Sequence, residues 1–160
     1  MSEIIWYLSF WYFSSGIANL NVKIFGNQPW GVPQYCGHLP NEEVKHFCAS
    51  AKICPNLSEP HSQEFGYDVI ERPYKLAANK CFVVSDYVEG LHGLYPHMIF
   101  AHTPEEFKKK IYYWLDRPEE RKEIVEINYK STIENHTYFH RVSEIFKHLG
   151  LDSESDKCMM

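Results

Sequence analysis

The chain has 160 residues, of which 44% are hydrophobic, and carries a formal net charge of -5. That length supplies one main core, and the acidic balance lacks the basic field with which nucleic-acid binders neutralise phosphates, so nucleic acid is not an expected partner. The 5 cysteines are odd in number and lack a C-x-x-C pair, which fits free thiols in a reducing, cytoplasmic setting better than a disulfide framework.

The run from Ile4 to Phe13 is apolar and aromatic, but far shorter than the roughly 20 residues a bilayer span needs. Ser2-Glu3 ahead of it lacks the basic residues of a signal peptide. Residues 1–20 are read as an aromatic leader helix or interdomain segment. Trp6, Tyr7, Phe10, Trp11, Tyr12 and Phe13 either pack inward or form a patch for an N-terminal domain, a partner chain or a second copy.

Val22 to Phe25 is a short apolar run closed by Gly26-Asn27, and Lys52 to Pro55, Cys81 to Val84 and Met98 to Ala101 repeat the form. Such runs, bounded by turn residues, are the pattern of strands buried on both faces. Asn41 is placed to cap a helix to Ala51 with Val44, Phe47, Cys48 and Ala51 inward. Pro73 is tolerated only in a first helical turn, so a helix begins near Arg72 and runs to Asn79. Thr103-Pro104-Glu105-Glu106 predicts a capped helix carrying Phe107, Ile111, Trp114 and Leu115 to the core. Asp116-Arg117-Pro118-Glu119 opens the next, with Ile124 and Ile127 inward, and another spans Thr137 to Leu149 before Gly150.

This order predicts an α/β fold: a Rossmann-like parallel sheet of about five strands with helices on both faces and a helical C-terminal segment. Residues 21–150 form the main domain, and the polar tail 151–160 is expected to be disordered.

The segment from Asn56 to Asp86 carries the functional signal. It places a polar loop and a helix start past the carboxyl end of a parallel strand, where open α/β sheets bind ligands. Arg72 and Lys75 suit an anion such as a diphosphate, with Ser58 and His61 adding contacts from the loop. The same cations equally form a surface network with Asp68 and Glu71. No Gly-rich phosphate loop is present, which disfavours a dehydrogenase or an ATPase. His136 and His140 share an i, i+4 spacing but lack the acidic neighbour of a metal site, so they are read as structural and no metal is expected.

Val22 to Gly26, Tyr35 to Glu43, Ala51 to Ser58, Glu71 to Asn79, Asp116 to Arg121 and His136 to Arg141 occur in an order and spacing that resemble a known family. Across residues 21–149 the chain is similar to the C-terminal, donor-binding half of a GT-B glycosyltransferase of the group-1 superfamily, spore-maturation type. The resemblance implies a transferase that binds a nucleoside-diphosphate sugar through Ser58, His61, Glu71, Arg72 and Lys75 without a cofactor. With no D-x-D carboxylate pair in the sequence to hold a divalent ion, the reaction is expected to be metal-independent. The acceptor and catalytic base would come from a second Rossmann-like domain, so no catalytic residue is assigned.

Two departures from the family pattern stand out. Lys75 occupies a position where a glutamate often holds the ribose, leaving Glu71 to substitute, and Asn79-Lys80 replaces a frequent glycine before the next strand. The alternative function is a non-catalytic nucleotide- or sugar-binding module of the same fold.

Overall fold

The computed structural model describes residues 16–159; the aromatic leader, apart from its last five residues, lies outside them. After a 3-10 turn at Ile17–Asn19, the elements are α1 (Asn41–Ser50), β1 (Cys54–Asn56), α2 (Pro60–Phe65), α3 (Arg72–Ala78), β2 (Val83–Asp86) and α4 (Glu89–Leu94). There follow β3 (Ile99–Ala101), α5 (Pro104–Leu115), α6 (Pro118–Asn135), α7 (Tyr138–His148) and α8 (Asp152–Met159). The strands lie in the order β1-β2-β3, all parallel, with Cys54 opposite Val83 and Val84 opposite Ile99.

Alternation along these strands feeds two cores. Cys54, Val83 and Phe100 join Cys48, Ala77, Leu91 and Tyr95 from α1, α3, α4 and its C-terminal edge. Val84 and Ala101 join Ile17, Phe82, Phe107 and Ile111, with Trp114, Ile124 and Val125 packed behind. Helices therefore cover both faces, as the buried apolar strands require. Fully burying a side chain such as Phe107 contributes roughly 1.5–3 kcal/mol.

The sheet has three strands among the described residues, not five. Val22 to Phe25 makes only an isolated parallel bridge, Ile24 to Tyr35. The backbone of Ile24 bonds Gln34 and Cys36, and Gly26 after the run bonds Gly37. The apolar run is real, but its pairing partner is this neighbouring loop rather than the main sheet.

Thr103 caps α5 by accepting from Glu106 N–H at 3.2 Å, and the Glu106 carboxylate accepts from His102 N–H at 2.8 Å. Pro40, not Asn41, stands at the cap of α1. In α6 the inward positions fall to Ile124, Val125 and Asn128, while Ile127 is exposed. The tail is helical rather than disordered: α8 folds back on α7, where the Ser143 and Ser155 hydroxyls meet at 2.7 Å in a buried contact. Along α7, Phe139, Val142, Ile145 and Leu149 nonetheless remain exposed.

Where the family pattern has glycine, Lys80 adopts a left-handed φ of 55°. Its N–H bonds Ala77 and the N–H of Cys81 bonds Leu76, closing α3 as a Schellman turn. The left-handed conformation costs a side chain roughly 1–2 kcal/mol. The Glu126 carboxylate at 2.7 Å and the Tyr129 ring, with the ammonium 4.5 Å from its centroid, hold Lys80 there.

The buried thiols of Cys48, Cys54 and Cys81 pack together. Cys54 and burial push Cys48 strongly up. Cys48 draws Cys54 down, but Cys81 and burial prevail and push it up to about 12. The Cys48 and Cys54 thiols stay protonated, and all three cysteines pack as small apolar groups.

His136 sits beside the rings of Tyr74 and Tyr95, at 5.9 Å and 5.3 Å between centroids, and its Nδ1 accepts from Arg141 at 3.0 Å. Burial first, then the Arg141 charge, lowers its pKa from 6.5. A depressed folded-state pKa contributes stability that is complete above 6.5 and is lost as pH falls through the folded value. Between about pH 7 and pH 5 the melting temperature should therefore drop more steeply for the wild type than for His136→Gln. Equal slopes in paired thermal melts would remove His136 as the source.

Candidate functional site at the carboxyl edge of the sheet

β1 and β2 both end on polar residues that are completely buried. Asn56 and Asp86 are each 0% exposed. Asn56 Nδ2 donates to Ser85 Oγ at 2.9 Å, which joins the two strands through side chains just where their apolar runs stop. The chain then turns outward at Ser58, itself buried.

Asp86 gathers this turn. Its carboxylate accepts from Ser58 N–H at 2.9 Å and 3.0 Å, from Ser58 Oγ at 2.9 Å, from Gln63 Nε2 at 2.8 Å and from Ser85 Oγ at 3.2 Å. Burial raises its pKa, opposed by the hydrogen bonds from Ser58, Gln63 and Ser85. Ser62, on the same short helix as Gln63, has a buried hydroxyl with no hydrogen-bond partner among the described residues.

Arg72 reaches the same edge from α3. Nη1 donates to Leu57 O at 3.0 Å and to Asn56 Oδ1 at 3.4 Å. The residue as a whole is exposed, while Nη1 points to the strand end. Desolvation lowers its pKa, countered by the charges of Glu59 and Asp86; a guanidinium stays protonated throughout. Among the described residues no hydrogen bond engages Nε or Nη2.

Ser58 and Arg72 thus both reach the end of β1, Ser58 bonded to Asp86 and Arg72 to Leu57 and Asn56. His61 is nearby in the chain but is engaged, its Nε2 lying 2.8 Å from Asp68 and 3.7 Å from Glu59. Glu71 and Lys75 pair with each other, and the Glu71 carboxylate also accepts from Tyr138 OH at 3.2 Å. Their hydrogen bond lowers the Glu71 pKa and raises that of Lys75. The surface-network reading therefore holds for this pair, and Lys75 is not a free cation. His136 and His140 serve structure: His140 forms the capping box of α7 with Thr137.

Asp86, Asn56 and Gln63 are the residues that sequence reasoning left unassigned. The available signal was position, since Asn56 and the pair Ser85-Asp86 follow directly on their buried runs.

A second, shallow concavity of about 690 Å³ runs along the outer edge of β3. Tyr87 stacks on His102 there at 4.4 Å. Lys110 donates to the outward carbonyl of Phe100 and pairs with Glu106, which blunts this edge against strand addition.

A parallel sheet with polar side chains gathered past its carboxyl ends is the arrangement of open α/β ligand-binding domains. Residues 12–147 match the family described as glycosyl transferase-like, and the chain belongs to that family. The spore protein CgeB of Bacillus subtilis (strain 168) is 26% identical over 108 residues, covering 62% of this chain and 33% of the relative. The chain thus spans about a third of the length of that curated relative. No solved structure matches.

Gly66 ends α2 at a left-handed φ of 76°, and its carbonyl accepts from Gly90 N–H at 2.6 Å. A Cβ at Gly90 would stand 3.0 Å from Tyr67 Cα and 3.1 Å from Gly66 O, whereas one at Gly93 meets nothing within 4 Å. Gly90→Ala should cost roughly 1–3 kcal/mol in urea unfolding, while Gly93→Ala should be neutral or stabilise by up to about 1 kcal/mol. Equal behaviour of the two variants would refute the close approach.

Proposed function

We propose that the chain is the donor-binding half of a glycosyltransferase that uses a nucleoside-diphosphate sugar. The observation that carries this reading is the Arg72 guanidinium, braced on Leu57 and Asn56 at the end of β1 with Nε and Nη2 uncommitted among the described residues. Fixed in that way, it is pre-organised for a phosphate oxygen and loses little freedom on binding. As the glycosyl bond breaks, charge accumulates on the departing diphosphate. A guanidinium already in place stabilises that charge more than it stabilises the ground state.

Ser58 and His61 flank the same turn as further contacts. Glu71 has carboxylate lone pairs beyond those used by Lys75 and Tyr138, which suits ribose hydroxyls. In this reading Arg72 supplies the cation and no metal is invoked. The acceptor and catalytic base belong to a second Rossmann-like domain, consistent with the chain spanning 33% of its relative. A second reading is a module that binds the donor without turning it over.

Titration calorimetry with UDP, GDP and ADP, their sugar conjugates and the corresponding nucleosides, paired with a donor-hydrolysis assay, tests the proposal. Binding without hydrolysis supports the module, and no binding of any nucleotide sinks both readings. Arg72→Ala should weaken nucleoside-diphosphate binding by roughly 1.5–3 kcal/mol, the range for a charge-assisted hydrogen bond. Nucleoside binding should hardly change. Equal losses for both ligands would remove Arg72 from the phosphates.

A further inference from the structure

We infer that Asp86 is the positioning residue of this site: its buried carboxylate fixes the β1–α2 turn, and with it Ser58 and the carbonyl that braces Arg72, against the end of the sheet. The inference rests on the proposed donor site for its functional meaning, but its geometry stands apart from that reading.

The turn has few other anchors. Asp86 binds both the backbone N–H and the hydroxyl of Ser58, and Gln63 from α2. The buried polar side chain of α2, Ser62 Oγ, has no hydrogen-bond partner among the described residues. The far end of α2 is tied separately, through Gly66 O to Gly90 N–H. Asp86 itself is held by the sheet, because it is a ladder residue of β2 opposite Ala101 of β3 and directly follows Ser85, which pairs with Asn56 at the end of β1. A fixed acceptor therefore holds a movable segment at its start, and the Leu57 carbonyl that receives Arg72 lies one residue before the held Ser58.

Apolar replacement and isosteric replacement separate this role from bulk stability. Asp86→Leu deletes every acceptor at the position. Asp86→Asn keeps an oxygen for Ser58 and Ser85, and its amide can donate to Gln63 once that side-chain amide turns over. Ser58→Ala combined with Gln63→Leu removes two side-chain donors and leaves Asp86 in place, so it reads the same contact without a core substitution in β2.

Hydrogen exchange followed by mass spectrometry over residues 57–66, with α5 and α6 as internal reference, is the first readout. The second is UDP affinity by calorimetry. Exchange in 57–66 should quicken by about tenfold or more in Asp86→Leu and in the donor-side double variant, with α5 and α6 unchanged. UDP affinity should fall by a comparable factor, and Asp86→Asn should keep both within about threefold of wild type.

Unchanged exchange at 57–66 in the double variant would overturn the inference. So would loss of protection spread evenly through α5 and α6, which marks a purely global role. If the wild type binds no UDP, GDP or ADP, the donor reading fails, while the exchange pattern still decides whether Asp86 holds the turn.

Discussion

A carboxylate wholly removed from water constrains everything around it. Placing Asp86 at the end of the central strand carries an effective penalty of several kcal/mol even after relaxation. Hydrogen bonds to a charged acceptor each return roughly 1.5–3 kcal/mol. The penalty is offset only if donors converge from more than one element, and here they come from β2 itself, from the start of the β1–α2 turn and from α2. Asn56 is buried for the same reason, since it occupies Ser85 from the side and completes the polar layer above the apolar one. The sheet's carboxyl edge is thus a closed hydrogen-bonded plate, with Arg72 laid across it.

That plate separates two kinds of charge. Arg72 is partly desolvated and directed by the Leu57 carbonyl and the Asn56 side chain, so its orientation is set by the fold. Glu71 and Lys75 form an exposed i, i+4 pair of the sort worth only a few tenths of a kcal/mol. Adjacent positions of one helix therefore contribute one fixed cation and one adaptable pair. A ligand gains orientation from the first and compliance from the second.

Local signals were legible in the sequence where one segment decides the outcome. Thr103 and Glu106, Pro73 near a helix start, and the apolar runs of β1, β2 and β3 all depend on neighbours within a few residues. Pairing is different: Val22 to Phe25 has the composition of a core strand, and nothing in it reveals that Ile24 bridges Tyr35 instead. Periodicity likewise missed the tail, because the contact that seats α8 is between two small hydroxyls rather than apolar side chains. Ile127 looked inward and is not, since Asn128 takes the buried place on α6. Asp86 was hidden for a related reason, as its Ser58 and Gln63 partners lie 28 and 23 residues away. Burial of a charge is a property of the assembled site and is silent in the local pattern.

The close approach at Gly90 bears on how this surface can diversify. The two glycines of α4 look interchangeable in a sequence, yet only one of them is a spacer whose useful dimension is the side chain it lacks. Exposed rim residues such as Glu64, Phe65 and Tyr67 are free to vary in chemistry, and so to retune what the rim recognises, as long as position 90 keeps the loop-to-helix gap at one backbone thickness. Natural drift should therefore concentrate in the rim and leave that one featureless residue untouched, so the least chemically active position near the site becomes its slowest to change.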